Sequence, residues 1–352
     1  MIGEQPESTG AGGSGKLEYL TGNHRLQPSG RSVSTKRLAM RFRISLIAAM
    51  VTALAWLAAT VWADSFFFST GNPDGKLGAL SRQASSGKLE TETADDFVLA
   101  QTTAISGATI AGLVVATQAG PTITNVEVEL YHIFPLDSAN PPSGHVPTRV
   151  NSPADVEIAS STRDASAGTL SYTLNILAAS FTAANSTANS INKVPNQTTG
   201  GEGPATGEEV QINITFNPPI LLPAGHYFFR PEVLVSGGNF LYLSAPKPIV
   251  SPPGTVFAGD LQAWTRNSNL NPDWLRIGTD IVGGATPPTF NMTFSLSGNT
   301  IPDAGTPGDA KCYRATLSAL RGQFGNLPSA AAALGYPSVH ALKRALRGFC
   351  AP

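Results

Sequence analysis

Glu90, Glu92, Asp95 and Asp96 place four carboxylates within seven residues. Three chemistries suit that spacing. A hard cation such as Ca²⁺ gathers several oxygen ligands, so the group reads as a candidate calcium site. Two of the carboxyls could instead divide acid and base roles about a glycosidic bond. The plainest reading, and the one taken first, is a turn in which the acids solvate the approach to a strand near Phe97. A second stretch combines Trp264 and Trp274 with Arg266, Asn267, Asn269, Asn271, Asp273 and Arg276. Flat indole faces stack on sugar rings while neighbouring amides and charges bond hydroxyls, which makes Trp264, Trp274, Arg266 and Asp273 a candidate carbohydrate platform. The competing reading is core packing. Trp274, beside Leu275 and Ile277 in strand-like alternation, is expected to be buried, with Trp264 the more exposed of the two.

Other catalytic machinery is sparse. The chain contains no G-x-S-x-G elbow, no H-E-x-x-H and no phosphate-binding glycine loop. After residue 63 the histidines are His132, His145, His226 and His340. His132 and His226 fall in strand-like runs and read as ordinary sheet histidines. No catalytic residue is assigned. A secreted, glycosidase-like hydrolase is kept as the alternative, drawing on Glu90, Asp95, Asp96, Glu208 and Glu209.

The elements that must position these groups read as β-strands. Between Asp64 and Gly298, short runs rich in Val, Ile, Phe and Thr alternate with Gly, Pro, Asn and Ser. The clearest are 65–69, 105–115, 123–134, 170–177, 210–216, 226–235, 240–245 and 290–296. Val126, Val128 and Leu130 alternate with Glu127, Glu129 and Tyr131, one apolar face against one wettable face. No sustained period of 3.6 occurs there, which argues against a parallel α/β architecture. An antiparallel two-sheet, jelly-roll-like sandwich follows. Two long irregular segments, 135–153 and 183–207, interrupt it.

The start of the chain bears on compartment. Residues 1–39 carry no apolar periodicity and read as disorder, or as residues upstream of a true start at Met40. Basic Arg41 and Arg43 then precede an uncharged apolar run from Ile44 to Val61, and Val61-Trp62-Ala63 offers the small residues of a cleavage site. Residues 40–63 therefore read as a signal peptide, with no stable membrane span left after cleavage and a secreted or envelope-associated product.

After Gly298 the composition changes. Residues 299–311 read as a linker poor in docking residues, and 312–352 as a small helical tail able to fold independently. Cys312 and Cys350 are the only cysteines, and an even pair flanking helical sequence in an exported chain reads as a disulfide. The segment 64–301 carries 19 Asp and Glu against 10 Lys and Arg, whereas 302–352 carries 2 against 6. Ser329 to Phe349 resembles the helix-turn-helix of bacterial regulators, with Lys343, Arg344 and Arg347 on its second helix. An export signal, a disulfide and an acidic main domain point away from nucleic acid.

Ala94-Asp95-Asp96-Phe97-Val98-Leu99, followed by Ile105-Ser106-Gly107, resembles the opening strands of uncharacterised exported bacterial β-sandwich proteins. Leu222 to Phe229 and Asn291 to Gly298 resemble the late strands of the same group. The resemblance implies a fold and an export route and carries no activity. The expected function is an exported, non-catalytic binding or structural module, with a carbohydrate or cell-envelope component as partner and no cofactor beyond a structural calcium.

Overall fold

The computed structural model describes residues 64–249 and 259–351. The segment 40–63 expected to be a signal peptide, and the residues before it, lie outside these. Two sheets pack face to face. The first contains β1 (Ser65–Ser69), β2 (Leu77–Leu80), β4 (Thr103–Ala116), β8 (Leu170–Ala183), β9 (Asn185–Thr187), β10 (Ala205–Leu222), β12 (Gly238–Ala245), β15 (Asn291–Met292) and β16 (Phe294–Thr300). The second contains β3 (Thr91–Leu99), β5 (Thr122–Ile133), β6 (Pro153–Glu157), β7 (Arg163–Asp164), β11 (Gly225–Ser236), β13 (Trp264–Asn267) and β14 (Leu275–Arg276). All pairings are antiparallel except β2 with β9. A mainly β, two-sheet sandwich with a helical, disulfide-closed C-terminal region is the fold expected from the sequence.

Alternation builds the core. Val126, Val128 and Leu130 of β5 meet Phe97 and Leu99 of β3, Phe229 and Val233 of β11, and Ile110, Ile212 and Phe294 of the opposite sheet. Phe229 and Phe294 stack across the sandwich at 5.0 Å between ring centroids. Gly112 in β4 serves this packing, because a Cβ there would stand 2.3 Å from the Phe240 ring.

The other face of the second sheet is not wettable, contrary to the sequence reading. Residues from both long connections and from the segment after β13 cover it as a third layer. Val146, Ile191, Leu270 and Ile281 of that layer cluster with Leu275 of β14, beside a cluster of Ala94, Tyr131, Phe228, Trp264 and Trp274. Strand alternation thus places charged residues between two apolar layers.

The tail folds as α1 (Cys312–Phe324), α2 (Leu327–Ala333) and α3 (Val339–Phe349). Asn326 caps α2 by accepting from the Ser329 N–H at 2.8 Å, and Ser338 caps α3 by accepting from Ala341. Gly325 and Gly335 adopt φ of 75° and 78°, which suits glycine as a helix stop. Cys312 and Cys350 are bonded, with Cα atoms 5.6 Å apart. Among the described residues no helix is long and apolar enough to cross a membrane.

The expectation of an independent tail is corrected by its packing. Ile301, in the supposed linker, is 1% exposed and joins Ala104 of β4 with Leu320, Leu334, Leu342 and Leu346 in one cluster. Gln323 Nε2 donates to the Thr300 carbonyl at 2.9 Å, and Asn299 Nδ2 to the Ala333 carbonyl at 3.1 Å. A shared core couples unfolding of the two parts. Replacing Cys350 with Ser, which opens a link between residues 38 apart, is therefore expected to cost about 3–4 kcal/mol and to lower one cooperative transition in calorimetry. A separate tail transition would contradict the shared core.

Candidate functional site

The third layer encloses the densest set of chemically capable groups. Arg230 lies near the middle of β11 and is 2% exposed. Register sets Arg230 opposite Glu129 and Glu232 opposite Glu127 on β5, while Arg266 of β13 lies opposite Glu92 of β3. All point to the covered face. Arg230 Nη2 donates to Glu92 Oε1 at 3.0 Å and also to Glu129. Its Nη1 lies 2.8 Å from Glu232 Oε2 and 3.7 Å from Glu127 Oε1. Arg266 pairs with the second oxygen of Glu92 and donates to the Tyr131 hydroxyl at 3.2 Å, and that hydroxyl donates to Glu129 at 2.6 Å.

The electrostatics follow from burial and charge count. Five glutamates, counting Glu90 at the rim, face two guanidiniums. Burial alone would raise the Glu92 carboxyl, but Arg266 and Arg230 outweigh it and hold it below its usual value. For Glu232, burial prevails over Arg230 and holds the carboxyl well above its usual range. Burial also lifts Glu90, with Glu92 adding to the effect. Glu127 is pushed up to about 7, by burial first and then, against the pull of Arg230, by the nearby charge of Glu129. The cluster sheds its excess negative charge by keeping protons.

The expected residues are only partly brought together. Glu90, Glu92 and Glu232 each offer a carboxylate oxygen within 4.8 Å of the others, so Glu90 and Glu92 share a site with a residue about 140 positions away. Asp95 and Asp96 leave the group. Alternation turns Asp95 into the core, where it accepts from the Met292 N–H at 2.7 Å. Asp96 accepts from the Leu261 N–H and lies 2.6 Å from His226 Nε2. The turn reading is corrected too, since β3 begins at Thr91 and its acids are ladder residues. Calcium fits the new trio poorly, because the Glu92 oxygens and one Glu232 oxygen already face guanidiniums, whereas that ion needs six to eight oxygens. Glu208 and Glu209 stand on β10 of the other sheet.

Both tryptophans are buried, Trp264 at 1% and Trp274 at 0% exposure. Trp264 is corrected from the more exposed member of a sugar platform to a core residue, because the third layer covers β13. Trp274 takes Arg266 over its ring at 4.2 Å and the edge of Tyr131 at 5.5 Å between centroids. Asp273 holds buried Arg149 at 3.0 Å, and Arg149 also pairs with Asp155. Neither indole offers a stacking face to solvent. Arg230, Glu232, Glu127, Glu129 and Tyr131 were missed as site residues. Their only local signal was charge on one parity of otherwise apolar strands. The chain matches no protein-family model, and comparison with curated proteins and with solved structures found no match.

Glu127 gives the cluster a measurable pH signature. Its folded pKa of about 7 lies above the ordinary 4.5, so between those values the folded state holds a proton that the unfolded state has lost. Stability from this group is then highest below about 4.5 and declines as pH rises through about 7. Glu127→Gln is expected to reduce the fall in melting temperature between pH 5 and pH 8 relative to the parent chain. An unchanged pH profile would refute the assignment. In the same melts Trp274→Ala is expected to cost about 3–5 kcal/mol, the loss for a core indole.

Proposed function

We propose that this chain is an exported, non-catalytic β-sandwich acting as a binding or structural module outside the cytoplasm, in the medium or at the cell envelope. The observation that carries the reading is the closed Glu92–Arg230–Glu129–Tyr131–Arg266 network. Groups that could attack or protonate a substrate are spent on one another beneath a third layer. The Cys312–Cys350 disulfide supports an extracytoplasmic setting, since oxidising compartments preserve such bonds. The basic and apolar residues between Lys36 and Val61 supply the export route, and the ADDF-type strand resemblance agrees with it. The partner is a cell-envelope component engaged by a surface other than Trp264 and Trp274.

One observation favours the hydrolase alternative, namely Glu127 titrating near neutrality beside Glu129. Geometry weighs against it. Glu129 is held by Arg230 and by the Tyr131 hydroxyl, so its Oε2 is occupied by partners within the network. Expression of the full chain in an export-competent bacterium, with fractionation, N-terminal mass spectrometry and a panel of aryl glycosides, tests the proposal. A product beginning at or near Asp64 outside the cytoplasm, without turnover, is expected. Cytoplasmic retention, or glycoside turnover abolished by Glu129→Gln, would overturn it.

A further inference from the structure

A groove of about 440 Å³ lies where α3 meets the sandwich. Its volume is within the range of small-molecule sites. Pro218, Pro219 and Leu221 of β10 form one wall, and Pro337, Ala345 and Phe349 form the other. Two cations, Arg163 and Arg344, also line it, and no lining residue is acidic.

Arg163 is the unusual member. It is 7% exposed, yet its guanidinium meets only carbonyl oxygens: Nε donates to Pro218 at 2.8 Å, Nη1 to Ser160 and Thr162 at 3.0 and 2.8 Å, and Nη2 to Pro219 at 3.1 Å. These bonds leave one Nη2 hydrogen unassigned, and among the described residues no carboxylate pairs with the charge. A buried cation is ordinarily paired, because desolvation is otherwise uncompensated. The other buried arginines here, Arg149, Arg230 and Arg266, each have carboxylate partners. Tyr336, buried at the same junction and interacting electrostatically with Arg163, carries a hydroxyl with no hydrogen-bond partner among the described residues.

We propose that this groove binds an amphipathic carboxylate, its head on Arg163 and Arg344 and its hydrocarbon body along the proline, leucine and phenylalanine walls. Arg163 offers its one unassigned N–H as a charge-assisted donor, the guanidinium fork of Arg344 matches a carboxylate in shape as well as charge, and the apolar walls reward a ligand with little polarity beyond its head. The assignment rests on the reading of the chain as a binding module and names its ligand class. The sole alternative role for Arg163, a staple joining β7 to the carbonyls of Pro218 and Pro219, predicts no ligand.

Calorimetric titration of the full chain with decanoate, and with decan-1-ol as the uncharged control, tests the proposal. Decanoate is expected to bind at least about tenfold more tightly than the alcohol, the increment of one charge-assisted hydrogen bond. Exposed Arg344→Gln is expected to remove most of that difference with the melting temperature unchanged. Gly348→Phe provides a second, charge-neutral block: Gly348 lines the groove and a Cβ there meets no atom within 4 Å, so the ring enters open space. It should abolish decanoate binding in a folded chain. Equal binding of acid and alcohol, or decanoate binding that survives both variants, would overturn the proposal. Such a failure would leave export and absence of turnover untouched, because those are read from processing and glycoside hydrolysis.

Discussion

The buried guanidinium of Arg230 is the constraint on which the second sheet depends. A cation removed from water is tolerated only with partners in place, and here those partners come from three strands: Glu92 on β3, Glu129 on β5 and Glu232 on Arg230's own β11. Register errors in any of these pairings would strand a charge, since a slip of one residue turns every side chain to the opposite face. The network therefore contributes more to specifying strand alignment than to net stability. Covering it requires a third layer, which two long connections and the segment after β13 supply over a sheet face that polar residues would otherwise leave to solvent.

The same logic links the sandwich to its tail by apolar means. Ile301 leaves β16 and enters a cluster with helix residues of α1 and α3 and with Ala104, while the disulfide fixes the first turn of α1 to the end of α3. The Arg163 groove lies between these two parts, so its walls keep their separation only while the tail is docked. Net positive charge in the tail and net negative charge in the sandwich further favour that docking at moderate ionic strength.

How much of this was legible in the sequence depended on whether the signal was local. The strand Ser65–Ser69 was read residue for residue, and the sandwich class followed from alternation in Val126–Tyr131 and Val210–Phe216. Strand β10 was read as 210–216, whereas it begins at Ala205 within the segment expected to be irregular and continues past a register shift to Leu222. Glu92 and Asp95 looked like turn acids because TETADD is polar in isolation. They are ladder residues because Arg230, Arg266 and the Met292 N–H arrive from more than 130 positions away. Trp264 was misread for a related reason, its polar neighbours Thr265 and Arg266 being buried themselves. Single-strand patterns show which residues share a face, and what lies over that face is a tertiary fact.

What Arg230 secures is the pairing of buried carboxylates from three strands, which are stranded when it is removed. Urea unfolding of Arg230→Met at pH 8 and pH 5 measures it most directly. Loss of about 3–5 kcal/mol at pH 8 is expected, the usual effect of leaving buried carboxylates without their partner, with a smaller loss at pH 5 where those carboxyls take up protons. A loss below about 1 kcal/mol at both pH values would contradict the account.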